Sequence, residues 1–184
     1  MDTETGVIQW LDTVTLPTNE FVRRYYNPQK QQSCHSCPFY GKNHACPPDG
    51  AEAKDLLLSF PFIHLFAARH YTARPIASGK EMHDAFAQGR IVFDAHLLAC
   101  EANSECSMAL IPCSCTRCER CARVDHEACR YPDKLRKSLD ALSVEVSRIA
   151  DEVFSLEIQW YKEKPSEYVT MIGGILSMQP AITA

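Results

Sequence analysis

The sequence predicts an α+β fold: a single domain, residues 1–184, with a mixed β-sheet flanked by helices and two cysteine-rich metal-binding loops at one end. Short apolar runs bounded by turn residues predict strands near 60–68, 107–112, 156–161 and 168–176. Stretches 78–100 and 135–153 repeat apolar residues every three or four positions, as amphipathic helices do. Cysteines concentrate in two segments without such periodicity, 34–48 and 113–132, which we expect to be the loops.

Composition excludes several classes of protein. The apolar fraction is 46%, which is enough for an ordinary hydrophobic core. The net charge of -4 argues against a nucleic-acid partner held by phosphate contacts. No apolar run reaches the roughly 20 residues of a membrane span, and the acidic start is followed by no secretory apolar segment. Ten cysteines without an export signal predict a reducing, cytoplasmic location.

In the first half of the chain, imperfect alternation predicts a short strand within 7–16, and 21–26 fits either a strand or a turn of helix. A short helix is expected at 51–59. Ser78 and Glu81 form a capping box that predicts a helix start. The residues Met82, Phe86, Phe93, Leu97 and Cys100 then give that helix a single apolar face, which places Cys100 in the core.

The second half offers one helix, or two broken near Ser143, over 135–153. Segments 156–161 and 168–176 resemble the two strands of a β-hairpin. The pair Gly173-Gly174 predicts a bulge or a close approach of another backbone.

The larger cysteine group has five thiols within seventeen residues: Cys113, Cys115, Cys118, Cys121 and Cys129. Adjacent C-x-x-C pairs cannot all form local disulfides without strain, so a metal is the better explanation. Zinc is expected to combine one C-x-x-C pair with a distant second pair. Three thiols at two-residue spacing, closed by a later fourth, favour a 4Fe–4S cluster, with zinc as the alternative.

The smaller group consists of Cys34, Cys37 and Cys46. Prolines after Cys37 and Cys46 restrict the backbone and remove amide donors, so the group is expected on a rigid, irregular loop. This pattern is typical of a metal-binding loop, and the alternative is three buried structural cysteines. Nearby His35 and His44 are expected to be solvated rather than ligands.

With both groups in view, the chain resembles a family of predicted metal-binding proteins, domain-of-unknown-function family 2284. The resemblance rests on three motifs: Cys34-x-x-Cys37-Pro-x-Tyr-Gly-Lys-x-x-x-Cys46-Pro-Pro, Cys115-x-x-Cys118-x-x-Cys121 with Cys129-Arg-x-Pro132, and Pro132-Asp-Lys-x-Arg136-x-Ser138-Leu139. It implies cysteine-rich metal binding, expected to be iron–sulfur, in anaerobic or metal-cofactor metabolism, without a settled reaction. The chain departs from the family at Ile111-Pro-Cys113-Ser, which adds a thiol, and at 142–146, where the family has a glycine-containing turn.

Carried over by position, Cys115, Cys118, Cys121 and Cys129 make a complete four-thiolate set. The three thiols of the smaller group would take a fourth ligand from Cys106 or Cys113, or leave one iron open to a substrate.

Three functions follow from these ligand sets. The first is electron transfer to, or maturation of, a redox or metallocofactor protein partner. The second is a zinc-binding structural module, and the third is a small enzyme working at an open iron. Common hydrolase, P-loop, zincin and dinucleotide motifs are missing from the sequence. The two cysteine loops must lie close together if one of them supplies a ligand to the other's metal, or if electrons pass between two clusters. We therefore expect the loops to meet in the folded chain.

Overall fold

The computed structural model describes residues 6–37, 40–47, 50–160, 162 and 164–182. The helices are α1 (Thr18–Tyr25), α2 (Gln31–Cys34), α3 (Gly50–Leu58), α4 (Gly79–Ala102) and α5 (Val146–Phe154). The strands are β1 (Val7–Trp10), β2 (Val14–Pro17), β3 (Phe62–Ile76), β4 (Ser107–Leu110) and β5 (Ser166–Ser177). Helices and one sheet in a single chain confirm the α+β class.

The sheet has the order β1-β3-β5-β4, and β2 continues the line of β1 along the same edge of β3. All four strand pairings in the described part of the chain are antiparallel, so the expectation of a mixed sheet was wrong in this detail. Strands β3 and β4 run in the same direction, but β5 lies between them and pairs antiparallel with both. The unit from β3 through α4 to β4 is therefore a split β-α-β arrangement.

Helices cover both faces of the sheet. Alternate residues of β3, such as Leu65 and Phe66, point to opposite faces because a strand has a two-residue repeat. Leu65 joins the larger core with α1, α3 and α5, whereas Phe66 packs with Phe93 of α4. Helix α4 begins as the capping box predicts: the Ser78 Oγ accepts from the Glu81 amide at 3.3 Å, and Glu81 accepts from the Ala77 amide at 2.9 Å.

One prediction for the second half was correct in part and another was wrong. Of the two alternatives for 135–153, the structure has the break near Ser143: a 3-10 turn at Asp140–Leu142 ends at Ser143, whose φ of 62° breaks the helical path, and α5 follows, but the first piece is a 3-10 turn and not an α-helix. The segment 156–160 is not a strand, and β5 pairs with β3 and β4 instead of with a hairpin partner. The apolar alternation there reflects burial against the core by Leu156 rather than strand pairing.

The glycine pair is explained by a close backbone approach. A Cβ on Gly173 would lie 2.7 Å from the Leu110 carbonyl oxygen and 2.7 Å from Leu97 Cδ1. Because the ladder between β3 and β5 runs without a register shift through Gly173 and Gly174, no bulge is present at this point. The glycines let β4 and α4 pack tightly onto β5.

Candidate metal centre

The cysteine loops lie where β4 stops and β5 continues. Strand β4 ends at Leu110, opposite Gly174, while β5 extends back to Ser166. In the described residues, the stretch of β5 before Gly174 has no strand partner on its β4 side. The chain segments that follow β4 and α2 lie beside this unpaired stretch of β5. The site forms there because β4 is shorter than β5.

The two loops contact each other directly. The Asn43 Nδ2 donates to the Cys115 carbonyl at 2.9 Å, and an Arg123 guanidinium nitrogen donates to the Asn43 carbonyl at 3.3 Å. The His44 Nε2 lies 2.9 Å from the Glu127 carbonyl. Hydrogen bonds of this kind fix the position of one irregular segment against another. In the described part of the chain the two loops therefore lie together, as expected, but beside the unpaired edge of β5 and not at an end of the sheet.

Four thiols line one cavity at this junction. Cys34, Cys37 and Cys46 share a cavity of about 420 Å³ with Cys113. We call these four residues the first thiol set. The three thiols that the sequence grouped are thus together, and a fourth comes from the other loop.

The other four thiols of the two loops line a second cavity. Cys115, Cys118, Cys121 and Cys129, the second thiol set, surround a space of about 20 Å³. Ser114 alone separates the two sets along the chain, so the Cα atoms of Cys113 and Cys115 lie at most roughly 7 Å apart.

The extra thiol of the first set is Cys113 rather than Cys106. Cys106 precedes β4 and Cys113 follows it, so the strand alone separates them by roughly 13 Å. Both residues have a left-handed backbone, with φ of 62° at Cys113 and 49° at Cys106, so the cavity lining distinguishes them and the backbone does not. Cys100, in contrast, is fully buried on the core-facing side of α4, as its helical position predicts.

Burial and nearby negative charge oppose ionisation of Cys34 when no metal is bound. Burial raises the pKa of the Cys34 thiol, and Asp140, Cys37 and Cys46 raise it further through their negative charge. Surrounding protein likewise raises the pKa of Asp140, which Lys30 opposes. Asp140 nevertheless keeps an exposed surface, so water in the cavity limits that shift. Metal binding would release protons from these thiols, and its affinity would rise with pH.

Arg90 lies behind the segment that joins the two sets. It is 8% exposed, pairs with Asp94 at 2.8 Å and donates to the Ser114 carbonyl at 3.0 Å. Helix α4 thereby positions the one residue that separates Cys113 from Cys115. Sequence reasoning missed Arg90, as well as Lys30 and Asp140 in the first cavity. The i,i+4 spacing of Arg90 and Asp94 was the only signal, and it is common on helices.

Within the described ranges, no three His, Cys, Asp or Glu side chains lie close enough together to hold one metal ion as they are. Each thiol set is therefore defined by the cavity that it lines, and binding would draw its thiols inward. Neither of the loop histidines lines the first cavity. His35 packs edge-on against Tyr40, with ring centroids 4.8 Å apart.

A small α+β protein that gathers eight thiols at one junction has the donor chemistry of a metal-binding protein. Residues 24–177 match the model of the family described as "Predicted metal-binding protein (DUF2284)", and the chain belongs to that family. Comparison with curated proteins and comparison with solved structures gave no match. No helix in the described part of the chain has the length and apolar character needed to span a membrane.

Proposed function

We propose that the protein carries two 4Fe–4S clusters, one on each thiol set, and passes electrons to a redox or metallocofactor protein partner. The observation that supports this proposal is the sorting of eight thiols into two groups of four, each around its own cavity. Four thiolates are the complement of ligands that a cubane cluster uses. Cys113 and Cys115 would ligate different clusters with one residue between them, a separation short enough for electrons to move between the clusters.

In this proposal the protein supplies position and surroundings, and the clusters supply the redox chemistry when bound. Lys137 is half-buried, and burial lowers the pKa of its ammonium, with Glu52 and Cys46 acting in the opposite direction. Its positive charge would offset part of the negative charge that four thiolates bring to the first cluster. Asn43 would hold the two ligand loops in register through the Cys115 carbonyl.

A zinc site at the second thiol set is the second candidate. The space among its thiols is about 20 Å³, close to the room for a single water molecule, and a single ion needs less rearrangement there than a cluster. In that case the second set would brace the loops and only the first would carry electrons.

The proposal is tested by anaerobic purification followed by iron, sulfide and zinc analysis and a visible spectrum before and after dithionite. Two clusters give about eight irons per chain and a brown absorbance that dithionite bleaches. About four irons with one zinc would support the second candidate. Stoichiometric zinc without visible absorbance, persisting after reconstitution with iron and sulfide, would refute electron transfer by this protein.

A pair of serine variants tests the ligand assignment. Cys113→Ser is expected to lower the iron content of the first site or change its electron paramagnetic resonance signal. Cys106→Ser is the matched control, an exposed thiol at the other end of β4. Equal effects of the two substitutions would contradict the assignment of Cys113.

A further inference from the structure

The first cavity is larger than a cluster requires. Its volume of about 420 Å³ falls in the range of small-molecule sites, roughly 300–1,000 Å³. A cubane cluster has eight iron and sulfur atoms. If each atom took up as much space as one water molecule in the liquid, roughly 30 Å³, the cluster would fill roughly 240 Å³. The thiols form only part of the wall, so a cluster that draws them inward would leave the part lined by Lys30, Asp140 and Ile172 for a second small group.

The cavity wall carries one ammonium and one carboxylate, from Lys30 and Asp140. Neither charged group has an ion-pair partner within 4.0 Å among the residues that the structure describes, and they are not paired with each other. Lys30 is half-buried and Asp140 is exposed to the cavity. Both groups are therefore available to a ligand.

The negative charge of a thiolate-ligated cluster explains the presence of Lys30 in the wall but not that of Asp140. An ammonium near thiolates is favourable, which could account for Lys30 by itself. A carboxylate in the wall of the same cavity is unfavourable beside thiolates. Lys30 acts on Asp140 only from beyond ion-pair distance, so a ligand cation in direct contact with Asp140 would compensate its charge better.

Apolar side chains form a large part of the remaining wall, beside the hydroxyl groups of Ser33, Ser114, Ser138 and Thr170. Phe86 from α4, Ile172 from β5 and Val146 from the start of α5 all line the cavity. Three separate elements thus contribute apolar side chains to a cavity that also carries two opposite charges. This combination selects a molecule with a cationic group, an anionic group and a hydrocarbon part.

We propose that the first cavity binds a small zwitterion of the α-amino acid class, with its carboxylate at Lys30, its ammonium at Asp140 and its side chain against the apolar wall. This inference rests on the proposed function, because the metal group held by the first thiol set would share the cavity with the amino-acid ligand. The ligand would lie beside that group and regulate or report on its redox state.

The test uses the full-length protein, reconstituted anaerobically, and L-norleucine as the probe, because its side chain is apolar and contains no sulfur to compete for iron. Isothermal titration calorimetry is expected to give a dissociation constant below about 1 mM. Hexanoate lacks the ammonium and pentylamine lacks the carboxylate. Each is expected to bind at least about tenfold more weakly, which is the effect of losing one charge-assisted hydrogen bond.

Lys30→Met and Asp140→Asn are each expected to weaken norleucine binding about tenfold or more. Lys54→Met, which removes an exposed lysine of α3 outside the cavity, is the control and should bind as the wild type does. If a cavity variant fails to fold, the comparison of the three probes on the wild type decides. No binding of norleucine, or equal binding of all three probes, would overturn the inference.

Iron content and dithionite bleaching are measured on the same preparation. Eight irons and reversible bleaching without norleucine binding would overturn the zwitterion site and leave electron transfer intact. Norleucine binding by a protein that takes up only zinc would overturn electron transfer and support the site. The two proposals can therefore fail separately.

Discussion

Replacing Arg90 with methionine tests whether a buried ion pair supports the segment between the two thiol sets. The Arg90 and Asp94 side chains are only 10% and 13% exposed, and they approach to 2.8 Å. Methionine keeps much of the length and apolar stem of arginine but removes its charge. It leaves the Asp94 carboxylate buried without a cation and the Ser114 carbonyl without its donor.

The expected loss is about 3–5 kcal/mol in the free energy of unfolding, the usual cost of removing one partner from a buried pair. Burial already raises the pKa of Asp94 in spite of Arg90. Loss of Arg90 would raise that pKa further, so the folded variant would bind a proton more readily than the unfolded chain. The variant's deficit should therefore shrink as the pH falls.

Urea unfolding of the metal-loaded protein measures the free energy of unfolding through the midpoint and slope of the transition. Lys80→Met is the matched control, since Lys80 and Asp84 form another i,i+4 pair on α4 with side chains 86% and 49% exposed. Exposed pairs contribute little, so this control should unfold nearly as the wild type does. A second variant, Arg90→Met with Asp94→Leu, should recover stability relative to Arg90→Met alone. Equal midpoints for Arg90→Met and Lys80→Met would refute the reasoning.

Two further predictions concern the sheet. Gly173→Ala would place a methyl group 2.7 Å from the Leu110 carbonyl, and overpacking of this kind should cost about 1–3 kcal/mol in thermal or urea unfolding. Burial lowers the pKa of His64 from its ordinary value of 6.5, so the folded protein holds this side chain neutral while the unfolded chain takes up the proton. Stability should fall as the pH drops from 6.5 towards that lower pKa, and a His64→Gln variant should lose less stability between neutral pH and about pH 5.

Gly173→Ala has a matched control, and the His64 prediction has an outcome that would contradict it. Gly174→Ala meets its nearest atom, the His64 carbonyl oxygen, at 3.1 Å and should be milder than Gly173→Ala. The reverse order would contradict the tight packing at β4. For His64, identical loss of stability on acidification in the variant and the wild type would assign the pH dependence to other groups.

Elements whose signals are local could be predicted from the sequence. Helix α4 is an example, because its Ser78 cap and its apolar spacing are both properties of nearby residues. The strand within 7–16 was also predicted, and the structure divides it into β1 and β2 on one edge of β3. For 135–153 the apolar spacing left one helix or two broken near Ser143 as alternatives, and the left-handed conformation of Ser143 decides for the break. The sequence pattern predicted β5 correctly as a strand but gave it the wrong partner. Instead of pairing with 156–161 in a hairpin, β5 pairs with β3 and β4, which are distant in sequence.

The cysteine-rich α+β character of the chain and its two loops of metal-ligand spacing can be predicted from the sequence alone, because spacing within a loop is a local property. The division of the thiols into two sets depends on tertiary contacts. Cys113 belongs to the larger group along the chain, yet it faces the cavity of Cys34, Cys37 and Cys46. The end of β4 and the contact of Asn43 with Cys115 produce that division, and both depend on residues that are far apart in sequence. Packing brings Lys30 and Asp140 into the same cavity for the same reason.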